Sequence, residues 1–287
     1  GRAESPVTLE ITDGSIALRD ASELWGTDAE EAQKRLPAHY GKLVIGTAGE
    51  HMVRYAAAAS GERMGGRCGC GAVMGSKNLK AVIAYGTKQP EIAHPEKFRK
   101  FLTKWIKFIK NHPMTGDALP KYGSAGLVNK ANASYALPTH NFKYGHFDRA
   151  DATSGETLAE TALVRNSGCI SCPIRCERRV MVEGREVKGP EYETLGLFGA
   201  NIDADNMEMI LKLNYLSDDL GLDTISLAST IAFAMELKVH GMADFGVEFG
   251  RVDNLTEVVE KIAHREGIYS ELANGSKWLS EKYGGKE

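Results

Sequence analysis

The first 88 residues alternate short apolar runs with turn signals. Val7, Leu9 and Ile11 alternate with polar positions, Asp13-Gly14 is a turn dipeptide, and Ser15 to Leu18 can return, so the pattern predicts a hairpin over 7–18. Thr27 is placed to cap a short helix through Leu36, with acidic residues in its first turn. Lys42 to Ile45 and Lys80 to Tyr85 read as strands, and Gly46-Thr47-Ala48-Gly49 as a small-residue turn. Residues 50–59 are apolar and alanine-rich but too short to type by period. Gly61 to Gly75 reads as a glycine-rich loop. Beyond Pro90 the character changes. Pro95 suits a helix start, after which Phe98, Phe101, Leu102, Trp105, Phe108 and Ile109 share one face. Lys97, Arg99, Lys100, Lys104, Lys107 and Lys110 decorate the rest, which is ordinarily a solvated surface. Residues 113–156 read as loop, and helices are expected over 157–164, 191–200, 206–220, 224–239, 255–266 and 276–283. The pattern predicts an α+β chain: a mixed α/β region over 1–88, then a mostly helical region over 89–287.

Composition narrows the class. With 287 residues, 43% hydrophobic and 25% charged, the chain has ample material for a core and a length that suggests two domains. A net charge of −3 argues against a dedicated binder of nucleic acid or of a membrane surface. No apolar run approaches the ~20 residues that span a bilayer. The opening GRAESPVTLE has neither an initiator Met nor the head and apolar stretch of a signal peptide, so the expectation is a piece of a longer, cytoplasmic protein.

The five cysteines form two tight clusters, unlike a secreted disulfide framework. Cys169, Cys172 and Cys176 have the spacing C-x2-C-x3-C, which lets three thiolates turn toward one centre. An iron–sulfur cluster, a zinc ion and three buried thiols are the readings, with the cluster first because no second ligand pair completes a zinc set. Cys68 and Cys70 lie in the glycine-rich stretch. That stretch fits no nucleotide motif, although Arg67 could grip a phosphate and the glycines would let a backbone approach a ligand closely. Asp218 falls in the last turn of a helix, where the dipole disfavours an anion and a donor is wanted. Gly221 suits a left-handed C-cap, and Asp223 is either the N-cap of the next helix or, with Asp218, an acceptor for the N–H groups of a heterocycle. Glu191 and Glu193 flank Tyr192 at a helix start, where acids are ordinary.

Four segments in this order, GRCGCGAVMGSKNLKAV (66–82), GCISCPIRC (168–176), GPEYETLGLFG (189–199) and DDLGLDTIS (218–226), resemble the aldehyde ferredoxin oxidoreductase family of tungsten or molybdenum bis-pterin enzymes. AGEHMVRYA (48–56) and ALPTHNF (136–142) fit it too. The resemblance implies that 1–88 is the remainder of a β-rich pterin-base domain and that 89–287 is a helical domain. It implies that Cys169, Cys172 and Cys176 hold a [4Fe–4S] cluster, and that Asp218, Leu222 and Asp223 bind one pterin. Arg67 and Gly69 to Gly71 would border the pterin phosphates, and Glu193 would handle a proton near the metal. The family's opening part and closing helical domain, with the fourth cluster cysteine, do not appear in this sequence. The implied activity is oxidation of an aldehyde to a carboxylic acid, with electrons passing to ferredoxin or a partner subunit. A tungsten aromatic-ring (benzoyl-CoA type) reductase subunit and a cluster-only electron-transfer module are the alternatives. No nucleic acid or membrane partner is expected, and a homo-oligomer is left open.

Overall fold

A computed structural model describes residues 1–285. The predicted hairpin forms as β1 (Val7–Ile11) and β2 (Ile16–Asp20), in antiparallel register with Val7 opposite Asp20 and Ile11 opposite Ile16. It joins a six-stranded mixed sheet with β3 (Gly41–Val44), β4 (Ala58–Ser60), β5 (Arg63–Gly65) and β6 (Leu79–Ala84), in the order β2-β1-β6-β3-β4-β5. Helix α1 (Ala29–Arg35) lays Ala29 and Ala32 on Val44, Ala59, Ala81 and Ile83 of this sheet. Asp28 stands at its N-cap position, one residue after the Thr27 expected there.

Two glycine-rich stretches expected as turn and loop instead contain helices. Residues Thr47–Glu50 form one helical turn, α2, and Cys70–Gly75 form α3. A side chain on Gly75 would collide with the Gly49 carbonyl oxygen, and one on Gly71 with that of Ala57. These glycines serve close backbone approach rather than turning.

In the second region, α4 (Pro95–Asn111) starts where Pro95 predicts. The stretch expected as loop contains α5 (Leu119–Tyr122) and α6 (Leu127–Ala133). Then α7 (Gly155–Thr161) leads into a three-stranded antiparallel sheet: β7 (Leu163–Ser167), β8 (Glu177–Val182) and β9 (Arg185–Lys188). This sheet is absent from the sequence reading, because β8 buries charge where a strand pattern shows apolar residues. Glu177, Arg178 and Arg179 are all buried. Arg63 bonds Glu177, Arg179 bonds Glu62 and Glu186, and Arg178 donates to the Pro120 carbonyl at 2.6 Å.

The remaining helices follow the periodicity: α8 (Tyr192–Phe198), α9 (Met207–Leu220), α10 (Thr224–Val239), α11 (Leu255–His264), α12 (Tyr269–Leu272) and α13 (Ser276–Tyr283). They share one large core, into which α10 buries Leu227, Ala228, Ile231, Ala234 and Met235. Among the described residues no helix is long and apolar enough to cross a membrane.

The two regions interlock along one line. Ala56 bridges Leu222, Ala57 N donates to the Gly221 carbonyl at 2.8 Å, and Asp223 N donates to that of Tyr55 at 3.0 Å. On the opposite side Gly71 N donates to the Ala56 carbonyl at 3.0 Å. The glycine stretch, residues 55–57 and the turn between α9 and α10 are thus stitched side by side.

Candidate functional site

The turn between α9 and α10 is built as its residues dictate. Gly221 is left-handed, with φ 75°, and ends α9. Asp223 then caps α10, accepting from Ile225 N at 3.3 Å, Ser226 N at 3.1 Å and the Ser226 hydroxyl. That local reading of Asp223 holds, and three donors already occupy much of its carboxylate. Leu222 is buried by its bridge to Ala56. Asp219 is also engaged, accepting from Glu30 N at the start of α1 at 2.8 Å.

Asp218 differs. No hydrogen-bond donor reaches its carboxylate among the described residues, and its nearest cation is Lys188 Nζ at 3.9 Å. Burial pushes its pKa up to about 6; Lys188 pulls it down, while Glu62, Glu191 and Asp219 add to the rise. It is an acceptor in want of a donor, as its place in the last helical turn anticipates.

A cavity of about 240 Å³ gathers the candidates. Arg67, Glu193, Asp218, Leu222 and Asp223 all line it, together with Lys188 and Glu191. Arg67 Nε stands 3.9 Å from Asp223 Oδ2, with most of its side chain exposed. Lys188 and Asp218 also line an adjoining cavity of about 790 Å³ between α1, β9 and the end of α9. Gly69 and Gly71 are not on the wall. They lie behind Arg67, where side chains would collide with the carbonyls of Arg54 and Ala57. They let the loop sit close enough to present Arg67. Glu193, in the first turn of α8, is exposed on the cavity side.

Cys169, Cys172 and Cys176 occupy the loop from β7 to β8. Cys172 N closes a turn on the Cys169 carbonyl at 3.1 Å, and Ser171 and Arg175 are left-handed. Cys169 is exposed and the other two are half-buried. Burial, then the charge of Glu191 and of the other two thiols, pushes the Cys176 thiol up. Cys176 thus has Glu191, which also lines the cavity, in its neighbourhood. Among the described residues no three His, Cys, Asp or Glu side chains converge on one ion-sized point. A cluster does not require that, because each thiolate binds a different iron. Cys68 is exposed, and Cys70 Sγ donates to the Gly65 carbonyl at 3.0 Å.

Sequence reasoning overlooked Lys188 and gave Glu191 only a helix-start role. Lys188 ends a strand that the sequence concealed. Glu191 is anchored by the Ser124 hydroxyl, a partner far away in the chain.

Two family models match. One, described as the N-terminal domain of aldehyde ferredoxin oxidoreductase, matches residues 1–86; the other, described as domains 2 and 3, matches 100–287. Among curated proteins, the tungsten-containing aldehyde ferredoxin oxidoreductase of Pyrococcus abyssi is 42% identical and that of Pyrococcus horikoshii 41%, each alignment covering 100% of this chain and 50% of the relative. The chain therefore spans about half the length of the curated relatives it matches. A solved structure, the active site complex BamBC of benzoyl coenzyme A reductase with 1,5-dienoyl-CoA, superposes with a TM-score of 0.79 at 27% identity, covering 100% of this chain and 47% of that one. With both family models aligned in order along nearly its whole length, the chain belongs to the aldehyde ferredoxin oxidoreductase family.

Proposed function

We propose that this chain is the part of a tungsten or molybdenum bis-pterin oxidoreductase that cradles one pterin and supplies three ligands of a [4Fe–4S] cluster. The complete enzyme oxidises aldehydes to carboxylic acids and passes the electrons to ferredoxin or a partner subunit, in a reducing cytoplasm. The observation that carries this reading is the meeting of Arg67, Glu193, Asp218, Leu222 and Asp223 around one cavity, from segments distant in sequence.

The residues fit the group. Among the described residues Asp218 lacks a donor, and the N–H edge of a heterocycle provides one. Lys188 holds enough positive charge nearby to keep the carboxylate usable at neutral pH. Arg67 has its guanidinium fork largely free for a phosphate. Leu222 gives a fixed apolar wall. Asp223 orients the turn more than it binds. Glu193 stands open on the cavity and moves a proton between substrate and solvent. Cys169, Cys172 and Cys176 hold the cluster on the side of the cavity marked by Glu191. When bound, the metal with its dithiolenes supplies the two-electron redox chemistry, for which the protein provides position and electrostatics.

The test is elemental analysis of the anaerobically purified protein with its native flanking sequence, followed by turnover with a panel of aldehydes. Iron with tungsten or molybdenum, together with aldehyde-dependent dye reduction, is expected. Iron without either metal would leave the cluster-only module. A second reading, a subunit of an aromatic-ring reductase, is favoured by the superposition on the benzoyl coenzyme A reductase complex. Turnover of an aryl-CoA thioester without aldehyde turnover would select it.

A further inference from the structure

Buried charge in this fold is paired, with one exception among the described residues. Lys80 lies against Glu50, Arg179 against Glu62 and Glu186, Glu177 against Arg63, and Asp223 faces Arg67. Arg178 is 2% exposed, and among the described residues no carboxylate comes within 4.0 Å of it. Its Nη1 donates to the Pro120 carbonyl at 2.6 Å and its Nη2 to the Arg175 carbonyl at 3.0 Å, while Nε is buried without a partner. The acids in its wider surroundings are committed elsewhere: Glu177 to Arg63 and Arg179, and Glu191 to the Ser124 hydroxyl. Arginine keeps its charge inside a protein, and a buried cation without an anion is costly.

The cover over Arg178 is made by the segment after α4. Pro120 lies in α5, and Gly123 follows directly behind it. A side chain on Gly123 would meet the Cys176 carbonyl oxygen at 2.6 Å and Arg178 Cγ at 3.8 Å. With the side chain enclosed in this way, no further polypeptide can bring a carboxylate into contact with the guanidinium. What the guanidinium does hold is the cysteine loop, through the carbonyl of Arg175, the residue bonded to Cys176. Burial pulls the pKa of Arg178 down, and the charge of Cys176, ahead of those of Glu191 and Glu177, pushes it back up. The anion that this cation lacks is therefore the one that three thiolates would bring.

We propose that Arg178 is the fixed counter-charge of the centre held by Cys169, Cys172 and Cys176, and that it raises the reduction potential of that centre. The inference rests on the [4Fe–4S] reading of the three cysteines and adds to it a residue that binds no metal. A centre that takes up one electron gains one negative charge, so a fixed cation beside it favours the reduced form. Because the cation is buried, salt screens it little. Arg178 also grips the loop at Arg175, so charge and loop geometry have to be separated by experiment.

The experiment is a redox titration followed by electron paramagnetic resonance on the anaerobically purified protein with its native flanking sequence. Iron is counted in the parent and in Arg178→Lys, Arg178→Gln and Arg178→Met. Both neutral variants should disfavour reduction by about tenfold or more, which for one electron is about 59 mV downward. They should shift alike, although Gln can still donate a hydrogen bond and Met cannot. Arg178→Lys keeps the charge and should stay within about threefold of the parent. Neutral variants at the parental potential, or a Lys variant shifted as far as they are, would overturn the proposal. So would iron lost from all three variants with the potential of the remaining clusters unchanged, which would make Arg178 a brace of the loop alone. If neither neutral variant folds, a folded Lys variant at the parental potential supports the need for charge, and an unfolded or shifted one overturns it. A parent without iron would overturn the cluster reading itself, and this inference with it.

Discussion

The cavity under α9 and the cysteine loop are neighbours with opposite construction. The cavity's walls are finished: Asp223 is held by three donors, Leu222 by a backbone bridge, and Asp219 by the start of α1. The cysteine loop has one turn hydrogen bond between Cys172 and Cys169, two arginine bonds to its backbone, from Arg175 to the Asn166 carbonyl and from Arg178 to the Arg175 carbonyl, two left-handed residues, and a wholly exposed Ile170 between its first two cysteines. The first site is organised before any ligand arrives. On the proposed reading the second would take its final geometry from what its sulfurs bind, as metal sites commonly do.

The sharpest way to test that contrast is at Glu193, which belongs to the finished side without bracing it. Glu193→Gln in the complete enzyme should lower turnover by about 10²–10⁴-fold while leaving metal content and melting temperature unchanged. Undiminished turnover would remove the proton-handling role. Next comes the bracing itself. Gly71→Ala drives a methyl into the Ala57 carbonyl, beside the bridge that carries Leu222. It should cost about 3 kcal/mol or more in chemical denaturation, a loss that no substitution in the cysteine loop should match.

A smaller effect is expected at Asp218. Its pKa is raised from 3.8 to about 6, so the native state holds the proton more tightly than the unfolded chain does. Its contribution to stability is greatest below pH ~4 and falls as pH rises toward 6, where the half-buried carboxylate ionises. Asp218→Asn should therefore stabilise the cofactor-free protein by about 1–2 kcal/mol at pH 8 and leave it unchanged at pH 4. The same substitution should weaken pterin retention. A melting curve with the same pH dependence as the parent would refute the assignment. Smallest of all, Cys172→Ser should change the stability of the cofactor-free fold by less than about 0.5 kcal/mol while lowering bound iron in the loaded protein. A large loss in the cofactor-free fold would mean that the loop is as rigid as the cavity.

Much of the site was legible because its parts are local. Gly221 as a left-handed cap, Asp223 as an N-cap and the acidic first turn of α8 follow from short-range rules. What was hidden depends on distant partners. Arg179 reads as a surface residue until Glu62 and Glu186 are placed against it. With Glu177 and Arg178 buried alongside, β8 shows no strand alternation, so the sheet that delivers Lys188 to Asp218 was invisible. The glycines of α2 and α3 misled for a related reason: tight turning and tight packing use the same residue, and only the facing backbone distinguishes them.

The bridge between Ala56 and Leu222 has a consequence for how the protein matures. It ties the sheet to the end of α9 across most of the intervening chain, so it closes only when both ends have been made and have met. Loop closure of that length is slow, while the helices between the two ends fold locally. On the proposed function, cofactor insertion would wait for that late event. A ribosome stalled between the two segments would hold helices but not the paired strand and turn that line the cavity.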